Sequence, residues 1–193
     1  MYLITPARDD LVQLLEAATA GGVGIVQIRD RQLGDGELLR RLGLAREVTA
    51  GLGVPLVVND RADIALLVEA DFLHVGQDDL PTSSVRSLGL AVGLSTHATA
   101  EIDAAQADYL GVGPVFETPT KAGRIAVGLD LVRYAAAHAR VPWFAIGGID
   151  ESNAASVAAA GASRLAVVRA ITESADPEAA ARGLCAALGR RTP

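Results

Sequence analysis

Short β-rich apolar runs return along the whole chain: YLIT, GIVQIRD, PLVVND, FLHVGQ, AVGLST, YLGVGPVF, WFAIGG and RLAVVRA. Most are separated by segments with helical spacing, such as DDLVQLLEAATAGG and GELLRRLGLAREVTAGLG. Both of these segments end in glycine, the usual residue just past a helix. Strands that alternate with helices imply a parallel sheet. Eight of them in 193 residues leave about 24 residues per unit, and eight is the number that closes a parallel sheet into a barrel. An open doubly wound sheet is the competing arrangement; no GxGxxG opens the chain, which weakens its dinucleotide-binding form. With no linker, composition break or low-complexity stretch, residues 1–193 read as one α/β domain, a single (β/α)8 TIM barrel.

Composition narrows the function classes. Half of the residues are hydrophobic but only 4% are aromatic, so the core is expected to be mostly Val, Leu, Ile and Ala. A formal charge of −6 argues against a broad nucleic-acid-binding surface, yet it allows a locally positive pocket. No apolar run approaches the roughly 18 residues of a membrane span. Met1 leads straight into YLIT without a signal-peptide pattern, so a soluble cytoplasmic protein is expected. Cys185, the one cysteine, cannot form an intrachain disulfide and reads as a buried apolar residue.

Chemistry begins in GIVQIRDR. Side chains alternate along a strand, so Val26 and Ile28 face the outer helices while Gln27, Arg29 and Arg31 face the barrel axis or its mouth. The third strand ends in VVND and the fourth is followed by GQDD. Adjacent strand ends lie about 5 Å apart, so Asp60 and one of Asp78 or Asp79 can face each other across the mouth. Hard oxygen donors with two protein anchors suit Mg²⁺, which keeps waters and binds substrate phosphates. The bland alternative is that ND and DD are helix N-caps. Asn59 can meet a phosphate oxygen or close a turn. Ser95 and His97 follow the fifth strand without forming a recognisable triad, and His74 is either a core residue or a site residue. FAIGGID and AVVRAI stand where barrels often bind phosphate, and Gly147 and Gly148 allow close backbone approach there. The stretch GVGPVFETPTKAGRIAVGLD gives a sixth strand read through GVGPVF, then a loop rich in Thr, Lys and Arg.

Taken in order, VQIRDR, NDRADIA, HVGQDDLP, GLSTH, ADYLGVGPVFETPTK and AIGGI resemble motifs of the thiamine-phosphate synthase family, from Tyr2 to about Leu188. The resemblance implies a (β/α)8 barrel that joins hydroxymethylpyrimidine diphosphate to thiazole phosphate, giving thiamine phosphate and diphosphate with Mg²⁺ as cofactor. It implies pyrimidine-diphosphate contacts at Gln27, Arg29, Arg31, Asn59, Ser95 and Lys121, with catalytic weight on Arg29, Arg31, Ser95 and Lys121. It implies Mg²⁺ ligands at Asp60 and Asp79, which chooses between Asp78 and Asp79. Thiazole-phosphate contacts fall on Thr118, Thr120, Gly148, Val168 and Arg169, the last two through backbone amides; Arg124 stays unassigned. The implied partners are these small molecules, with no nucleic acid or membrane and with a homodimer left open. Departures from the family pattern are Arg31 for a usual lysine, Arg169 for a frequent serine and bulky Phe72 before His74. The missing lead-in before YLIT implies a less well closed barrel bottom. Two rivals are a thiazole tautomerase using His97 as proton carrier and a silent barrel that binds thiazole phosphate.

Overall fold

Eight parallel strands close into a barrel in chain order in the computed structural model, which describes residues 1–118 and 125–189. They are β1 (Tyr2–Thr5), β2 (Ile25–Ile28), β3 (Leu56–Asn59), β4 (Phe72–Val75), β5 (Ala91–Thr96), β6 (Tyr109–Val112), β7 (Trp143–Ile146) and β8 (Leu165–Val167). Between and after them run α1 (Leu11–Ala20), α2 (Asp35–Leu52), α3 (Ala62–Leu67), α4 (Thr82–Ser87), α5 (Thr99–Ala104), α6 (Gly128–His138), α7 (Ala154–Ala159), α8 (Arg169–Thr172) and α9 (Pro177–Ala187). The predicted strands are all present. β6 differs in extent: it stops at Val112, so GPVF belongs to the loop, where the Gly113–Pro114 peptide is cis. The glycines expected after α1 and α2 are there, with Gly22 at φ 104° and Gly53 at φ 68°.

The expectation of a poorly closed bottom is not met. β1 pairs with β2 on one side and with β8 on the other, Tyr2 beside Ala166 and Leu3 beside Val167. The Met1 carbonyl accepts from Gly24 N at 2.9 Å, and Met1 is itself buried. The end of the chain seals the same edge from outside. α9 packs on α1, where a Cβ on Gly21 would lie 2.4 Å from the Glu178 carbonyl oxygen. Cys185 is buried in that seam, its Sγ 3.6 Å from the Gly22 carbonyl oxygen.

Alternation sorts the strand residues into two cores. Leu3, Val26, Ile28, Leu56, Val58, Leu73, Val75, Val92, Leu110, Val112, Leu165 and Val167 face outward into one aliphatic layer under the helices. Inside the barrel the composition is different. Tyr2, Tyr109 and Phe144 pack with Ile4, Ile25, Val57 and Ala166, and Phe72 closes against them. Four ring pairs lie edge to face with centroids 5.0 to 5.9 Å apart, a favoured aromatic arrangement. The aliphatic expectation therefore holds for the core as a whole, and the barrel interior adds a cluster of aromatic rings to it. A chain with three tyrosines, three phenylalanines and one tryptophan places four of its rings in one small volume. Bulky Phe72 is part of that filling.

Room for those rings comes from β5. An added Cβ on Gly93 would stand 2.1 Å from Tyr109 Cζ. Gly93→Ala is expected to destabilise the fold by about 1–3 kcal/mol in urea denaturation, the cost of overpacking. In a Tyr109→Leu background the same change should cost clearly less, and equal costs in both backgrounds would place the clash elsewhere.

Candidate functional site

All eight strands point their C-terminal ends to one face, so the loops leaving them meet around a single mouth. Gln27, Arg29, Arg31, Asn59, Asp60, Ser95, Thr118, Gly148, Val168 and Arg169 line one cavity there, of about 310 Å³. That size suits a small-molecule site. Thr120, Lys121 and Arg124 lie outside the described residues. Asp79 is not in the cavity wall, but it is close enough to Asp60 to act on its ionisation.

The loop after β2 carries the cations. Arg29 N donates to the Thr5 carbonyl at 2.9 Å, which continues the β1–β2 ladder one step past the strand. Asp30 then braces the turn: its Oδ1 accepts from Gln32 N at 2.9 Å and Leu33 N at 3.1 Å, and its Oδ2 from Ala7 N at 3.3 Å. Arg29 is half-buried, and its guanidinium is shifted down by burial first and by the like charge of Arg31 second; Asp60 and Asp79 oppose the shift. Arg31 reaches Asp60, with Nη2 3.4 Å from Oδ2.

The carboxylates stand on strained and permissive backbone. Asp60 has φ 61°, a left-handed conformation that costs a non-glycine residue about 1–3 kcal/mol and is tolerated best by Asp and Asn. Its N–H donates to the His74 carbonyl at 2.9 Å, which pins the kink to β4. Burial and the nearby Asp79 carboxylate raise the Asp60 carboxyl above its usual range, while Arg31 and the Asn59 amide pull the other way. Asp79 Oδ2 accepts from Gly76 N at 2.7 Å, and a Cβ on Gly76 would lie 3.0 Å from that oxygen. The helix-cap alternative does not hold. α3 starts after Arg61 and α4 after Pro81, so neither aspartate caps a helix; Ser95 lies inside β5 rather than after it.

On the far side, the loops after β6 and β7 are fastened to each other. Val115 N donates to the Ile146 carbonyl at 2.8 Å and Phe116 N to the Gly147 carbonyl at 2.9 Å. Val127 N returns to the Pro114 carbonyl at 2.8 Å. Gly147 and Gly148 have φ 101° and 64°, and a Cβ on either would strike this segment, 2.4 Å from Pro114 Cβ or 2.6 Å from the Glu117 oxygen. Asn153 supports the turn, its Nδ2 donating to the Gly148 carbonyl at 2.9 Å and its Oδ1 accepting from Asp150 N at 3.0 Å. Val168 precedes α8, and Arg169 begins it.

Beneath the mouth, five strands contribute one hydrogen-bonded series. Gln27 Nε2 donates to Tyr2 Oη at 2.6 Å, and Tyr2 Oη lies 2.9 Å from Tyr109 Oη. Tyr109 Oη is 3.0 Å from His74 Nδ1, and His74 Nε2 is 2.9 Å from Ser95 Oγ. Gln77 Nε2 adds a strut to the Ser95 carbonyl at 2.7 Å. His74 is thus both a core residue and a wall of the cavity, which joins the two alternatives. His97 also lines the cavity, with Nδ1 bonded to the Gly113 carbonyl oxygen. The sequence reading passed over Tyr2, Tyr109, Gln77, Asp30 and Asn153. A signal existed for the tyrosines: in a chain so poor in aromatics, two fall on strands at the parity of Gln27 and His74.

Known proteins give the site a context. The chain matches the family described as thiamine monophosphate synthase over residues 1–171. It is 50% identical over 221 residues to a thiamine-phosphate synthase of Arthrobacter sp. (strain FB24), covering 97% of this chain and 93% of that one. With a thiamine-phosphate synthase of Thermobifida fusca (strain YX) the identity is 52% over 196 residues, covering 95% and 89%. Among solved structures, thiamine phosphate pyrophosphorylase from Pyrococcus furiosus superposes with a TM-score of 0.87 at 29% identity, covering 97% of this chain and 94% of that one.

Asp60 also gives the site a pH signature. Its carboxyl is raised in the fold, so between the ordinary aspartate range and that raised value the folded chain holds more protons than the unfolded one. Stability from this group therefore falls as pH rises through that window. In metal-free buffer Asp60→Asn, which keeps a residue suited to φ 61°, should raise the melting temperature at pH 7, and the gain should vanish near about pH 4. A lower melting temperature at pH 7 would contradict the carboxylate repulsion.

Proposed function

The chain belongs to the thiamine monophosphate synthase family, and from that membership we propose that its mouth joins hydroxymethylpyrimidine diphosphate to thiazole phosphate, releasing diphosphate. One observation carries the reading. A single cavity is walled on one side by Gln27, Arg29, Arg31, Asn59, Asp60 and Ser95, and on the other by Thr118, Gly148, Val168 and Arg169. Two anionic substrates can then meet with their charged ends apart and their reacting atoms between.

Mg²⁺ fits the chemistry of the donors. A divalent cation would relieve the Asp60 carboxylate, whose proton affinity is raised by burial and by the charge of Asp79, and oxygen donors suit this ion. Asp60 and Asp79 would hold the ion, with water and substrate oxygens as its other donors; among the described residues no group of three or more His, Cys, Asp and Glu is arranged for a metal. When bound, the ion would stabilise negative charge on the leaving diphosphate.

The protein's own groups do the rest. Arg29 and Arg31 meet the diphosphate as charge builds on it, and Arg29 does so from a half-buried position where the interaction is strong. Lys121, assigned by resemblance, adds a third cation. The electron-rich aminopyrimidine stabilises positive charge at its CH₂ carbon as the C–O bond breaks, and the thiazole nitrogen captures that carbon. No protein nucleophile or base is required. Thr118, Thr120 and the backbone amides around Gly148, Val168 and Arg169 hold the thiazole phosphate, so Arg169 can use its N–H whatever its side chain does.

Diphosphate release in an assay with Mg²⁺ should occur only when both substrates are present. Asp60→Ala and Asp79→Ala should abolish turnover with the fold intact by circular dichroism; near-normal rates in both would remove the metal assignment. Lys121→Ala should lower kcat about 10²–10³-fold, the scale of losing one charge-stabilising donor, with little change in melting temperature. Metal-independent proton exchange on the thiazole alone would point to the tautomerase instead.

A further inference from the structure

The buried series beneath the mouth has a direction. Gln27 Nε2 donates to Tyr2 Oη, so the one proton of Tyr2 goes to Tyr109 Oη. That oxygen, already accepting, sends its own proton to His74 Nδ1. A neutral imidazole that accepts at Nδ1 carries its proton on Nε2, and Nε2 therefore donates to Ser95 Oγ. Ser95 accepts from His74 and keeps its own O–H for the cavity it lines. Gln27, with its nitrogen turned to Tyr2, offers the cavity its carbonyl oxygen.

Reversing any single link would set donor against donor or acceptor against acceptor in a buried place, so the two ends turn together or not at all. Burial keeps both phenols protonated, with the Tyr2 and Tyr109 hydroxyls shifted well above the usual tyrosine range.

We propose that Tyr2, Tyr109 and His74 are positioning residues that lock Gln27 as an acceptor and Ser95 as a donor, so that the cavity selects a ring offering an amino donor to one and a ring-nitrogen acceptor to the other. An aminopyrimidine offers both. Its oxo counterpart, with a carbonyl in place of the amino group and a proton on the ring nitrogen, offers the reverse. This deepens the substrate reading above and rests on it. The series selects the heterocycle, whereas the cations and carboxylates at the mouth handle phosphate charge.

Two measurements test the proposal. In wild-type protein with ¹⁵N-labelled histidine, the His74 signal, assigned by its loss in His74→Gln, should be that of a neutral ring protonated on Nε2. A ring protonated on Nδ1, or on both nitrogens, overturns the stated direction. The second measurement compares the aminopyrimidine monophosphate with its oxo counterpart as competitive inhibitors. Wild type should favour the amino form. Tyr2→Phe and Tyr109→Phe, which cut the series at different points, should each lower the ratio of the two inhibition constants about tenfold, the value of one buried hydrogen bond, while KM for thiazole phosphate stays unchanged. A merely structural role would weaken both inhibitors alike and keep the ratio, which overturns the proposal. If wild type binds neither inhibitor, the substrate reading fails and the proposal with it; if wild type prefers the amino form and both variants retain the preference, only the positioning role fails.

Discussion

The pairing of the first strand with the last is the constraint from which the site follows. Tyr2 lies beside Ala166 and Leu3 beside Val167, so the sheet has no free edge and every strand residue is assigned to inside or outside. Because the strands are parallel, closure also brings all their C-terminal ends to one rim. Arg29 after β2, Asp60 after β3, Thr118 after β6 and Gly148 after β7 come from distant parts of the chain, yet they line one cavity. An open sheet would spread the same residues along an edge.

The two faces then carry opposite demands. Outside, an aliphatic layer under the helices supplies the burial that holds the barrel together. Inside, a small volume takes aromatic rings and a set of polar groups that satisfy one another, from Gln27 through the tyrosines and His74 to Ser95. The least comfortable features stand at the rim: Asp60 in a left-handed conformation, a carboxyl raised by its neighbour, and Arg29 half-buried beside Arg31. Strain and like charge collect where an anionic ligand and a cation would relieve them, a common arrangement in functional sites.

Much of this was readable in the chain. The alternation in GIVQIRD assigned Val26 and Ile28 to the helix side and Gln27 to the interior, and both placements are found. The glycines after the first two helices announced their ends. What escaped reading had partners far away in sequence. Tyr2 is an ordinary strand residue until Tyr109, 107 positions later, meets its hydroxyl. Asn153 is an ordinary loop residue until it supports Gly148. The glycines at 147 and 148 suggested close approach of a ligand; the structure adds that the segment after β6 occupies the space a Cβ would need.

The sequence alone determined the number of strands and which residues share a face, because strand alternation and helix caps are written within a few neighbouring positions. It left open Asp78 or Asp79, cap or ligand, core histidine or site histidine. Tertiary structure decided that neither Asp60 nor Asp79 caps a helix, that Asp79 acts on Asp60, and that His74 is core and wall together. The reason is physical. A hydrogen bond or a carboxylate repulsion depends on a distance of a few ångströms, and for residues on different strands that distance exists only once the barrel has closed.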